Sequence, residues 1–142
     1  MKRIVGFLLF LTIVAGNYSG NANSTSNSGG SPAVTGKNVT VYYFHFTRRC
    51  MTCNNVEKVS KEAVEKQYAA QVKANEITFK SVNLDEKDGE AIGKKYNIEG
   101  QTLVVIAGDK RVDLTDKGFL YANNSPEKLK AEIKKAIDGM LK

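Results

Sequence analysis

The 142-residue chain has two cysteines, two prolines, one histidine and no tryptophan. Its cysteines, Cys50 and Cys53, stand three positions apart, which excludes a scaffold held by several disulfides. The single histidine, His45, leaves a structural zinc site short of its usual four ligands. The prolines are Pro32 and Pro126, so the stretch between them has none. No apolar run reaches the roughly 20 residues of a transmembrane helix; Ile4 to Ala15 is about a dozen. A dense block of one charge is also missing. The 21 Lys and Arg against 15 Asp and Glu give a formal +6, but the lysines are scattered and no nucleic-acid face is indicated. With 42% hydrophobic and 25% charged residues, the composition is that of one ordinary globular domain. A chain this long buries roughly 65–70% of its unfolded surface, enough for a core without staples.

Met1-Lys2-Arg3, the apolar run to Ala15 and the small residue Gly16 have the layout of a signal peptide over 1–16. Left uncleaved, the same segment would be a membrane tether. Residues 17–37 are almost all Asn, Ser, Gly, Thr and Ala, a composition that predicts a flexible linker. The folded domain is then expected over 38–142.

Within it the periodicities alternate. Asn38 to Phe46 is β-branched and aromatic, as in a strand covered on both faces. From Cys53 the residues Val56, Val59, Ala63, Val64, Tyr68 and Val72 recur at helical spacing and predict one long helix. A second strand is expected over Ile77–Leu84, a helix over Asp88–Tyr96, and a third strand over Thr102–Ala107. Gly108-Asp109 reads as a hairpin turn into a strand at Arg111–Leu114. Ser125-Pro126 reads as the N-cap and first turn of a final helix. The order β-α-β-α-β-β-α implies an α/β domain with a mixed sheet of about four strands flanked by helices.

The candidate chemistry lies at Cys50-Met51-Thr52-Cys53, between a strand end and a helix start. A helix N-terminus carries about half a positive charge and favours thiolate over thiol; Arg48 and Arg49 act in the same sense. Cys50 is the expected nucleophile and Cys53 the resolving thiol. His45, on the strand leading to the motif, is either a packed histidine or a group that tunes Cys50 or ligates a soft ion beside the two sulfurs.

Three stretches carry a resemblance: the strand leading into Cys50–Cys53, ITFKSVNLD at 77–85, and KYNIEGQTLVVIAGDKRV at 95–112. Together they resemble the thioredoxin superfamily in spacing and order across 38–142. More narrowly, YYFHFTRRCMTC is similar to small exported thioredoxin-like proteins described as nitrophenyl-compound nitroreductase subunits of arsenic-resistance clusters. The resemblance implies a thioredoxin-like fold and places the family's cis-proline loop just before Thr102. Gln101 stands nearest that place and is, with Thr102, the candidate substrate loop. The family's buried acid falls at Tyr43 and its lysine partner at Ser81, so the usual proton acceptor for Cys53 is absent. The aromatic before the motif is replaced by Arg49, and Gly-Pro by Met51-Thr52.

The leading expectation is an exported protein, in the bacterial periplasm or on the outer face of a membrane, that exchanges thiols and disulfides with a protein redox partner. It needs no cofactor beyond its own disulfide. One alternative is a module that binds a soft metal or a trivalent arsenical through Cys50 and Cys53, with His45 or the Gln101 loop. Another is an inert interaction domain on the same scaffold.

Overall fold

The computed structural model describes residues 38–142. The signal segment and linker expected over 1–16 and 17–37 lie outside the described residues. Strand β1 (Val39–His45) is followed by helices α1 (Met51–Gln67) and α2 (Ala69–Lys73). Strand β2 (Ile77–Asn83) and helix α3 (Lys87–Lys95) come next. The hairpin β3 (Thr102–Ala107) and β4 (Lys110–Asp113) precedes helices α4 (Thr115–Tyr121) and α5 (Pro126–Leu141). The sheet order is β2-β1-β3-β4, with β1 parallel to β2 and the other two pairings antiparallel. This is the expected α/β, thioredoxin-like arrangement.

Strand β1 is central, and its alternation feeds two cores. Val39, Val41 and Tyr43 face a cluster built with Val56, Val59, Ala63 and Val64 of α1 and Leu129, Ile133 and Ile137 of α5. Tyr42 and Phe44 face the other side, with Val82, Val104, Ile106 and the partly buried Ile92 of α3. Parallel pairing with β2 sets His45 beside Asn83, and antiparallel pairing with β3 sets Phe44 opposite Thr102. The C-terminal ends of β1 and β2 and the start of β3 therefore meet at one edge. That edge carries the Cys50–Cys53 turn.

Three expectations need correction. The single helix through Val72 is two pieces, because Tyr68 leaves helical geometry (φ −127°, ψ 34°). Its buried hydroxyl donates to Asp138 of α5 at 2.6 Å. The apolar stripe runs on through the interruption, Val64 and Tyr68 buried and Val72 packed on the same core, so periodicity does not reveal it. Helix α4 was not expected, being only seven residues with Gly118 at its middle. Gly118 lies where an added methyl would stand 3.2 Å from Val56 and 3.3 Å from Leu103, so the helix packs there through its backbone. Ser125 does precede α5, with Pro126 in its first turn, but its side chain makes no capping bond. Its carbonyl accepts instead from Lys128 N at 2.9 Å.

Helix α3 crosses the end of β2 with backbone against backbone: a Cβ on Gly89 would collide with the Asn83 carbonyl. Alanine normally gains about 1 kcal/mol over glycine inside a helix. Here overpacking, typically about 1–3 kcal/mol, outweighs that gain. Gly89→Ala is therefore expected to lower stability by a net of about 1 kcal/mol, read as a lower urea midpoint; an unchanged or higher midpoint would show that α3 does not press on β2 as described.

Candidate active site: the Cys50–Cys53 turn

Cys50 is the N-cap of α1, in extended geometry (φ −85°, ψ 167°). Its Sγ accepts from Cys53 N at 3.2 Å, the role an Asp or Ser side chain usually takes. The two cysteines form a disulfide with Cα atoms 5.2 Å apart. Their surroundings differ sharply. Cys50 is exposed, next to Met51 at 79% exposure, whereas Cys53 is only 2% exposed. The Cys53 Sγ also lies 3.2 Å from Gln101 Oε1, a residue 48 positions away brought in by the β1–β3 pairing. Thr102 closes the turn before β3 by donating its hydroxyl to Gly100 O at 3.0 Å.

Of the two arginines, Arg48 is exposed. Arg49 is paired with Glu57, both side chains about a quarter exposed. The guanidinium expected to favour the Cys50 thiolate is thus partly neutralised by a carboxylate one helical turn beyond Cys53. Glu57 was not picked out from the sequence, although its i+4 spacing from Cys53 placed it on the same helical face. Tyr43, beneath the helix, is fully buried and its hydroxyl has no partner. Burial pushes its phenol up to about 12; the Arg49 charge opposes that rise and Glu57 adds to it.

His45 does not join the sulfurs. Its ring nitrogens lie 2.9 Å from the Phe46 carbonyl and 2.9 Å from Ser81 Oγ, and the residue is buried. Among the described residues no group of three or more His, Cys, Asp and Glu side chains converges on a point that could hold a metal ion. In this disulfide state the two sulfurs are bonded to one another, and the His45 ring is held by the Phe46 carbonyl and Ser81.

The Asn83-Leu84-Asp85 segment has a structural role at the same edge. Asp85 Oδ2 accepts from Thr47 N at 2.7 Å, Asn83 Nδ2 donates to Thr47 Oγ1 at 3.0 Å, and Leu84 N donates to His45 O at 2.7 Å. These bonds fix the path between β1 and Cys50. On the opposite flank Asn123 donates to Thr52 Oγ1 at 2.9 Å and accepts from Asn55 Nδ2 at 2.8 Å, tying α1 to the loop before α5. Nothing in the local sequence marked Asn123, since its partners lie some 70 positions away.

No family model matches the chain, and no curated protein matches it. Among solved structures it is similar to one described as "Structure of a malarial protein", at 22% identity over 70% of this chain and 97% of that one, with a TM-score of 0.44. The chain carries a CxxC disulfide at the N-terminus of a helix, on a four-stranded mixed sheet.

Two outcomes follow. Removing an unpartnered buried hydroxyl removes a desolvation cost, so Tyr43→Phe is expected to raise stability by about 1 kcal/mol in urea unfolding; a loss of stability would mean that the hydroxyl has a partner. The Asp85 carboxyl is held below its ordinary value of 3.8, chiefly by the Thr47 backbone N–H and also by the Thr47 hydroxyl. A depressed carboxyl stabilises the fold above its unfolded pKa and loses that effect as pH falls through the lower folded value. The NMR shift of the Thr47 amide should therefore stay constant from neutral pH to about pH 5 and move only below the ordinary carboxylate range. In Asp85→Asn it should start displaced and show no such transition.

Proposed function

We propose that this chain is an exported thioredoxin-like protein that carries out thiol–disulfide exchange with a protein partner through Cys50 and Cys53. The observation that carries the proposal is the asymmetry of the two sulfurs: one exposed and capping a helix, the other buried one turn on. Export is supported by the signal-like start of the sequence and by the disulfide, which persists in oxidising compartments. No helix among the described residues is long and apolar enough to cross a membrane. The resemblance of YYFHFTRRCMTC to subunits of reductive systems favours a partner that supplies electrons as a dithiol or accepts them as a disulfide.

In the reduced protein, the Cys50 thiolate attacks one sulfur of a partner disulfide, R–S–S–R′. A Cys50–S–S–R bond forms and R′–S⁻ leaves. Cys53 then gives up its proton and attacks Cys50 Sγ. The Cys50–Cys53 bond forms, R–S⁻ departs, and the released thiolates take up protons. Two electrons pass to the partner, and the reverse sequence oxidises a partner dithiol. The charge of the helix N-terminus and the Cys53 N–H both stabilise negative charge at Cys50, while Cys53 has to ionise in a buried place.

Redox titration in glutathione buffers, with thiols read by alkylation and mass, tests the proposal. A reversible two-electron transition is expected at about −120 to −270 mV, the span of known thioredoxin-fold oxidoreductases. Cys53→Ser should trap a mixed disulfide with a disulfide substrate, and Cys50→Ser should abolish it. If no intramolecular disulfide forms at any poise, the exchange proposal fails and a module that binds a soft metal or trivalent arsenical through the two thiols takes its place.

A further inference from the structure

Gln101 is the only side chain with a polar atom in hydrogen-bonding range of either sulfur among the described residues. It is brought there by the fold: β3 starts opposite the end of β1, with Thr102 paired to Phe44, and Gln101 is the residue immediately before. Its Oε1 stands 3.2 Å from Cys53 Sγ, within reach of an S–H···O bond. Yet in the disulfide neither sulfur has a hydrogen. Two atoms with lone pairs then face each other with nothing between them.

We propose that Gln101 is a redox-selective partner of Cys53, whose amide oxygen accepts a hydrogen bond from the sulfur only in the dithiol and so draws the Cys50–Cys53 pair toward its reduced state. The proposal deepens the exchange reading and rests on it for its biological use. Reduction adds two electrons and two protons to the disulfide; two glutathione molecules supply both and leave as glutathione disulfide. One of those protons comes to rest on Cys53, buried where solvent does not replace Gln101 as acceptor. Without Oε1 the reduced state would contain a buried donor with no partner, and the disulfide would contain none. The Cys53 N–H bond to Cys50 Sγ responds to ionisation of Cys50, not to a proton on Cys53, and it is the same in wild type and in a Gln101 variant. Gln101 is thus a positioning residue that biases the equilibrium.

The test compares wild type with Gln101→Leu, a side chain of similar size without the amide, in the glutathione titration on the full chain. The equilibrium is expected to shift toward the disulfide about fivefold, equivalent to a potential about 20 mV more negative. A second readout needs no exchange at all. In Cys50→Ser, Cys53 is the chain's single thiol, and its S–H stretching band in the infrared should move to higher wavenumber when Gln101→Leu is added. A potential that stays put or rises, or a band that does not move, overturns the proposal. Gln101→Asn, which withdraws the amide by one methylene, is expected to shift both readouts the same way and serves if the leucine variant fails to fold. Wild type that never equilibrates with glutathione defeats the exchange reading alone, because the band then decides the role of Gln101 by itself.

Discussion

One sulfur atom serves both as helix cap and as half of the disulfide. Cys50 Sγ takes the Cys53 N–H that an Asp or Ser oxygen would otherwise satisfy, so α1 begins where the redox bond begins. Sulfur is a weak acceptor as a thioether or disulfide and a strong one as a thiolate. The cap is thus weakest in the oxidised protein and strongest when Cys50 is ionised. Helix start and thiolate are favoured by the same groups. Position 50 is consequently hard to replace without touching either the helix or the chemistry.

The sheet sets what surrounds that atom. Because β1 is central, parallel to β2 and antiparallel to β3, its end receives one neighbour from each side. From β2 come Asn83 and Asp85, which hold Thr47 and the path into the motif. From β3 comes Gln101, against the buried sulfur. From α1 itself comes Glu57, which takes up Arg49. Two influences on Cys50 are then to be weighed. The helix terminus is fixed in place and is worth about 0.3–1 kcal/mol near the surface. Arg49 is a full charge but is shared with a carboxylate, and its effect at a distance is that of a dipole. The backbone amide and helix end therefore favour thiolate at Cys50 more dependably than the arginine beside it.

Much of this was legible in the chain. The β-branched run before Cys50, the period-3.6 stripe after it, and the Gly108-Asp109 turn located β1, the start of α1 and the hairpin to within a residue or two. These are local patterns, and local physics makes them. What was not legible depends on pairs far apart in sequence. Tyr68 breaks α1 while its hydroxyl bonds a residue 70 positions on, and α4 is too short to show a period. His45 was weighed as a ligand, but its ring nitrogens are occupied by Phe46 and by Ser81, 36 positions away. Gln101 was picked out by its place before Thr102, whereas its contact with Cys53 depends on the β1–β3 register.

The departures from the thioredoxin pattern fit together physically. Where the family has a buried acid, this chain has Tyr43, buried and with its hydroxyl unpartnered. Where the family has lysine, it has Ser81, which bonds His45. A phenol pushed up to about 12 stays protonated at neutral pH, so this pair brings no negative charge beneath Cys53. The nearest carboxylate in sequence, Glu57, is held by Arg49. The buried sulfur is thus left with a neutral amide in place of a charged acceptor. A neutral partner changes its interaction with sulfur mainly through whether a proton is present to share. Such a partner distinguishes dithiol from disulfide through the shared proton, and here it stands on the loop before β3 and not in the core beneath α1.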